Sequence, residues 1–123
     1  MKYVLIVEDD SIIAEYIKMV LEDDGFRVCG ISSSGEDSIK KTIESKPDII
    51  LMDVILDGEI DGIDAAKIIL DRYYIPLIFC SASFDEYSLR RIQTLPHTGL
   101  INKPFEDDEL ISTLRNSYSN YYN

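Results

Sequence analysis

Glu8-Asp9-Asp10, Asp53, Ser81 and Lys103-Pro104 are the residues of this chain whose types could do chemistry together, and each group follows a short apolar run. Carboxylates gathered at one place repel, so they either retain protons at neutral pH or share a cation. A hard divalent ion suits them. Magnesium takes oxygen ligands, keeps several waters, and is typically held by one or two protein carboxylates plus a phosphate. With no His or Cys expected among these acids, zinc and copper are poor candidates, and calcium would want more ligands in a loop built for them. Beside such an ion a carboxylate can act as a nucleophile toward phosphorus, and the charge of the resulting acyl phosphate can be shared by the metal, an amine and a hydroxyl. Asp53 is best placed as that nucleophile, Lys103 offers a compact positive charge, and Ser81 offers a hydroxyl.

Taken singly, each residue has a plainer explanation. Asp10 reads as a helix N-cap, with Ser11 competing. Glu8, Asp9 and Asp53 could be turn acids, Ser81 a local turn hydroxyl, and Lys103 an exposed lysine before a proline. The chemical reading therefore depends on all of them meeting at one edge of the fold.

The elements that would bring them together follow from hydrophobic pattern. Val4 to Val7 is a strand-like run, and Ile12, Ile13, Tyr16, Ile17, Val20 and Leu21 then recur at helical spacing. Asp24-Gly25 stops that helix, Phe26 to Gly30 reads as a second strand, and Ser32 to Gly35 leads into a weaker helix around Ile39 and Ile43. Ile49 to Met52 is the continuous apolar run of a strand covered on both faces. A third helix is marked by Ile63, Ala66, Ile69 and Leu70, and a fourth strand by Ile75 to Cys80. A short helix from about Asp85 to Leu95, a strand over Gly99 to Asn102 and a last helix from near Asp107 complete the chain. Strands alternating with helices predict a parallel sheet with right-handed crossovers and helices on both faces. Ligands of such sheets sit outside the carboxyl ends of the strands, where these residues fall. Periodicity alone does not give the strand order.

Length and composition bound the rest. The chain has 123 residues, 46% of them hydrophobic and 28% charged, as expected of one folded soluble domain. No apolar stretch approaches the roughly 20 residues of a membrane span, and the N-terminal run ends in acids rather than a cleavage site, so a cytoplasmic location is expected. A formal net charge of −11 disfavours direct nucleic-acid or anionic-lipid binding. Cys29 and Cys80 each lie in an apolar run and are expected to be reduced, packed thiols. His97, in Pro96-His97-Thr98-Gly99, is expected to be structural. The polar tail from Asn116 onward is expected to fray, giving a domain over residues 1–118 and a loose end over 119–123.

Val7-Glu8-Asp9-Asp10, Leu51-Met52-Asp53, Asp61-Gly62-Ile63, Ser81-Ala82-Ser83 and Lys103-Pro104-Phe105 together resemble the signature of the receiver domain of two-component response regulators, over essentially the whole chain. The resemblance implies a flavodoxin-like, doubly wound five-stranded parallel sheet of order 2-1-3-4-5 with five helices. It implies a phosphorylation-dependent signalling switch rather than an enzyme, with Asp53 as phosphoacceptor and a phosphohistidine donor on a sensor histidine kinase or phosphotransfer protein. By the same resemblance Mg2+ would be held by Asp9 and Asp53, by Glu8 through water and by the backbone carbonyl of Ile55. Lys103 and Ser81 would contact the phosphoryl group, and Ala82 would leave the pocket open. An output face of the fourth helix, fifth strand and fifth helix would follow, with a homodimer across it in which Arg90, Arg91, Arg115, Asp107 and Asp108 could pair.

Two departures bear on mechanism. Leu100 stands where many receivers carry an aromatic switch residue, so Phe84 or Tyr87 would have to substitute by another movement. The loop Val54 to Asp61 is slightly longer than the commonest form and carries Gly58. Ile55 cannot hydrogen-bond an attacking water, which predicts slow self-dephosphorylation. Among rivals, a haloacid-dehalogenase-like phosphohydrolase would need an acid where Ile55 stands, and a flavin carrier would meet repulsion from Glu8-Asp9-Asp10. A pseudo-receiver that only docks would have no use for the retained acids, Ser81 and Lys103.

Overall fold

The computed structural model describes residues 2–122. Its elements alternate as β1 (Tyr3–Val7), α1 (Ser11–Asp23), β2 (Arg27–Ser32), α2 (Gly35–Ser45), β3 (Ile49–Asp53), α3 (Gly62–Leu70), β4 (Leu77–Ser81), α4 (Glu86–Gln93), β5 (Thr98–Asn102) and α5 (Asp107–Tyr122). The strands form one parallel sheet of order β2-β1-β3-β4-β5. This is the flavodoxin-like arrangement, with β3 in the middle.

Strand period places alternate side chains on opposite faces of the sheet, and the core divides accordingly. Val4, Ile6, Ile49, Leu51 and Ile78 face the layer of α1 and α5, where Ile17, Leu21, Leu110 and Leu114 are buried. Leu5, Ile50, Met52, Leu77 and Phe79 face the other layer, meeting Ile63, Ala66 and Ile69 of α3 and Ile92 of α4. Every residue of β3 and β4 is buried, which explains their unbroken apolar sequence. α2 looks weak in the hydrophobic pattern because Ser38 and Thr42 occupy its buried face. Their hydroxyls donate to the carbonyls of Gly35 and Ser38, so burial leaves neither unsatisfied.

Helix starts are set by side-chain caps. The Asp10 carboxylate accepts from the N–H groups of Ile12 and Ile13, Ser34 caps α2, and Asp85 caps α4. Asp61 and Asp64 form a reciprocal capping box at α3.

Several boundaries differ from the sequence-based expectation; β2, for instance, runs over Arg27–Ser32 rather than Phe26 to Gly30. β4 begins at Leu77, after Pro76, although Ile75 is still buried. α5 runs on to Tyr122, so residues 119–122 of the tail expected to fray are helical; Asn123 lies outside the described residues. The tail is held by aromatic contacts at the base of the sheet. The Tyr122 hydroxyl donates to the Asp48 carbonyl at 2.8 Å, Tyr121 meets His97 edge-on, and the Lys2 ammonium lies over Tyr118. His97 thus has the structural place expected of it, with positive φ and a ring between Tyr74 and Tyr121. Among the described residues no helix is long and apolar enough to cross a membrane.

Candidate functional site

The carboxyl ends of β1, β3, β4 and β5 converge on one rim. Glu8, directly after β1, is buried, and its N–H donates to the Ser32 carbonyl at the end of β2. Its carboxylate accepts from Asp10 N–H at 3.1 Å and from the Lys103 ammonium at 2.7 Å. Asp53, the last residue of β3, is 8% exposed and accepts from the same ammonium at 2.9 Å. Lys103 is fixed at its root by donating its main-chain N–H to the Ser81 carbonyl, and the Lys103-Pro104 peptide is cis.

One ammonium therefore bridges two mostly buried carboxylates drawn from residues 95 and 50 positions away. Asp9 is exposed, yet a carboxylate oxygen from each of Glu8, Asp9 and Asp53 lies within 4.8 Å of the others. Burial opposes the charged form of Lys103, but its hydrogen bonds to Glu8 and Asp53 and their charges outweigh that, and its pKa rises above the ordinary lysine value. Asp9 moves up from the usual carboxylate value through partial burial, then its hydrogen bond with Glu8 and the Glu8 charge. Three acids against one ammonium leave an excess of negative charge among oxygen donors alone. That donor set fits a hard divalent cation, with Glu8, Asp9 and Asp53 as the residues to hold it.

Ser81 closes the rim from β4. It is 4% exposed, donates its hydroxyl to the Ser83 carbonyl at 2.7 Å and accepts from Ser83 N–H at 3.3 Å. The local turn bond foreseen as its plainer explanation is therefore present, beside the other rim residues rather than instead of them. The Ile55 side chain is 75% exposed and apolar, next to the loop's cleft with Ser81 and Ser83.

The backbone behind Asp53 is held by Gly62. Its N–H donates to the Val54 carbonyl at 2.8 Å, and a Cβ there would stand 1.9 Å from the Asp53 carbonyl oxygen. Only glycine leaves room for that approach. The loop after β3 is pinned at its far side by Glu36, whose carboxylate accepts from Glu59 N–H at 3.0 Å; Gly58, with φ of +95°, packs against that carboxylate. Hydrogen bonds from the backbone hold the Glu36 carboxyl below its ordinary value.

Of the charges expected to pair across a dimer, Arg90, Arg91, Arg115 and Asp107 have partners within the chain. Arg91 binds Asp61 and Asp64, Arg115 binds Asp24, Arg90 binds Glu86, and the Tyr16 hydroxyl donates to Asp107. The long-range pairs of Lys103 with Glu8 and of Arg91 with Asp61 carry no local sequence signal. Leu100 is 42% exposed on β5, Phe84 packs partly buried against the α3 layer, and Tyr87 is exposed. Cys29 and Cys80 are both free thiols, and burial pushes the pKa of each upward.

Fold and rim together define a CheY-like α/β domain with an acidic, lysine-bridged pocket at the carboxyl edge of its sheet. A family model for the response regulator receiver domain matches residues 4–115, and the chain belongs to that family. It is 33% identical over 113 residues to the transcriptional regulatory protein CseB of Streptomyces coelicolor, covering 92% of this chain and 47% of that protein. It is 32% identical over 81 residues to a protein-glutamate methylesterase/protein-glutamine glutaminase of Hahella chejuensis, covering 66% of this chain and 23% of that protein. The chain thus spans about half or less of the length of these curated relatives. Among solved structures, the signal receiver domain of a modulated diguanylate cyclase from Desulfovibrio desulfuricans superposes with a TM-score of 0.90 at 29% identity, covering 98% of this chain and 96% of that one. A CheY-like receiver domain from Methanospirillum hungatei has a TM-score of 0.92 at 20% identity over 98% of this chain and 96% of that one, and shows the shared fold. The matched family is a regulatory domain of two-component systems, which removes the phosphohydrolase and flavin-carrier readings.

Proposed function

We propose that the protein is a phosphorylation-dependent switch in which Asp53 accepts a phosphoryl group from a phosphohistidine on a sensor kinase or phosphotransfer protein. The observation that carries this reading is the Lys103 ammonium at 2.9 Å from Asp53 and 2.7 Å from Glu8, beside Asp9. A nucleophilic carboxylate, a fixed positive charge and a set of oxygen donors occupy one rim.

In the transfer, an Asp53 carboxylate oxygen attacks phosphorus, the P–O bond forms as the P–N bond to imidazole breaks, and the electron pair leaves with the donor histidine. Magnesium, when bound by Asp9, Asp53, the Ile55 carbonyl and water-linked Glu8, supplies positive charge that offsets the phosphoryl oxygens. Lys103 keeps its ammonium at the acceptor and offsets part of the charge gained. The Ser81 hydroxyl exchanges its bond to the Ser83 carbonyl for one to a phosphoryl oxygen, which releases the start of the loop leading to α4. The added charge of about −1.5 to −2 is the signal.

The exposed stripe of Ile12, Tyr16 and Met19 on α1, adjoining the rim, supports docking of a donor with an apolar face. The reading includes a cytoplasmic location, no direct nucleic-acid contact in view of the −11 charge, and a homodimer across α4, β5 and α5 after phosphorylation. Exposed Leu100 supports that last element. Light scattering with and without a phosphoryl mimic tests it, and an unchanged monomer in both contradicts it.

Intact mass after incubation with a small phosphodonor and magnesium tests the main reading. A gain of about 80 daltons that disappears in Asp53→Asn is the expected result for an acyl phosphate. No gain would favour a docking module that works without phosphorylation.

A further inference from the structure

We propose that Arg91 on α4 is a positioning residue of the phosphoacceptor, clamping Asp61 and through it the Gly62 backbone that supports Asp53, so that α4 and the acceptor are linked without an aromatic residue on β5. The proposal rests on the phosphoacceptor reading above and names a residue and a route that reading does not use.

The geometry is specific. Arg91 places Nη1 at 2.8 Å from Asp61 Oδ2 and Nη2 at 3.0 Å from Asp61 Oδ1, a two-pronged pair, and Nη2 is also 2.7 Å from Asp64 Oδ1. Such a fork holds a carboxylate in orientation as well as position. The arginine side chain is 23% exposed, and the Asp61 side chain 34%, so water screens this pair less than the others on the surface. The Tyr87 ring, one turn earlier, lies under the guanidinium at 5.4 Å. Burial acts against the Asp61 charge, but the bonds from Arg91 and from the Asp64 N–H prevail, and its carboxyl lies below the ordinary value.

What Asp61 holds gives the pair its consequence. It is the N-cap of α3 and half of the capping box with Asp64. The next residue, Gly62, meets the Asp53 carbonyl at a distance no side chain would allow and bonds the Val54 carbonyl. Four covalently adjacent or hydrogen-bonded steps, through Asp61, Gly62 and Val54, therefore link the guanidinium to the acceptor's main chain. At its other end, α4 is joined to the rim through Asp85, its cap, and the Ser83 loop that holds the Ser81 hydroxyl. The cleft between the acceptor loop and α4 is lined by Leu56, Asp61, Ser81, Ser83 and Arg91, so both ends of the route share one wall. When Ser81 turns to a phosphoryl oxygen, the loop it releases leads straight into the helix that carries Arg91. The fork is thereby placed to carry that change to the main chain of the acceptor.

The test uses Arg91→Ala, Arg91→Lys and wild type, with a small phosphodonor and magnesium. Arg91→Ala should lower the maximal phosphorylation rate about tenfold, the scale of a small misplacement of a reacting group, with the phosphodonor KM little changed. Arg91→Lys, which keeps the charge and loses the fork, should fall between the two. Amide hydrogen exchange across α4 should change several-fold on phosphorylation in wild type and not in Arg91→Ala, whose α4 amides already exchange fast. Asp64→Asn retains a capping oxygen while weakening the clamp, and it keeps the test decisive should Arg91→Ala fold poorly: it should reproduce the rate loss in part. Wild-type rates in the variants, or an α4 response to phosphorylation that persists without Arg91, overturn the proposal. Failure of wild type itself to gain mass would instead overturn the phosphoacceptor reading.

Discussion

Replacing Lys103 by Met keeps the aliphatic stem and removes the one positive charge shared by Glu8 and Asp53. The side chains concerned are 22% exposed for Lys103, 4% for Glu8 and 11% for Asp53, so most of this site is shielded from water. Two carboxylates within 4.8 Å of each other repel by about 3 kcal/mol at the effective dielectric that describes protein sites. Removing one partner of a buried pair costs about 3–5 kcal/mol because the remaining charge stays desolvated and unpaired. The expected loss for Lys103→Met at pH 7 in EDTA is therefore about 3 kcal/mol, or roughly 10 °C in Tm for a chain of this size. Magnesium should shrink the gap, since the variant binds the cation without competition from the ammonium; metal at a hundredfold excess over its Kd stabilises by about 2.7 kcal/mol. Urea unfolding followed by circular dichroism, with and without magnesium, measures both effects. A loss under about 1 kcal/mol in EDTA, or the same loss with and without magnesium, would refute the charge balance assigned to this rim.

Four further outcomes follow from the same geometry. Gly62→Ala places a Cβ 1.9 Å from the Asp53 carbonyl oxygen, and thermal unfolding should show a loss of about 3 kcal/mol, at the upper end of overpacking effects. Without metal, stability should rise as pH falls from 7 through the raised Asp9 pKa, because the charged form of Asp9 is disfavoured in the fold; Asp9→Asn should abolish the rise. At still lower pH stability should fall, since Asp61 and Asp85 contribute above their unfolded pKa and lose that contribution as pH drops through their depressed folded values. The acyl phosphate should decay slowly, because exposed, apolar Ile55 offers no hydrogen bond to an attacking water; loss of label within seconds would contradict this.

The order of elements was legible because buried parallel strands such as Ile49–Asp53 need apolar residues on both faces. Cap chemistry was equally local, as Asp10 shows. The strand order came from the family resemblance, because period alone does not say which strands neighbour each other. The convergence of Glu8, Asp53, Ser81 and Lys103 was anticipated from their places at strand ends, but the bridging position of Lys103 between two acids was not, since it depends on side chains far apart in sequence. The same is true of the Arg91 fork, since the sequence alone presents Arg91 as a surface charge available to a dimer. The helical tail carries little sequence signal because Asn116 to Tyr122 is a polar, weakly helix-forming stretch whose order depends on Tyr121 and Tyr122 reaching His97 and Asp48.

Chemical trapping of the phosphorylated residue tests the central claim most directly. Protein labelled with a small phosphodonor and magnesium is reduced with borohydride, which converts an acyl phosphate of aspartate to homoserine, and the peptides are sequenced by mass spectrometry. Homoserine at position 53 and nowhere else is the predicted result. Homoserine at another acid, or a label that resists reduction because it sits on a hydroxyl, would contradict the assignment of Asp53 as the acceptor.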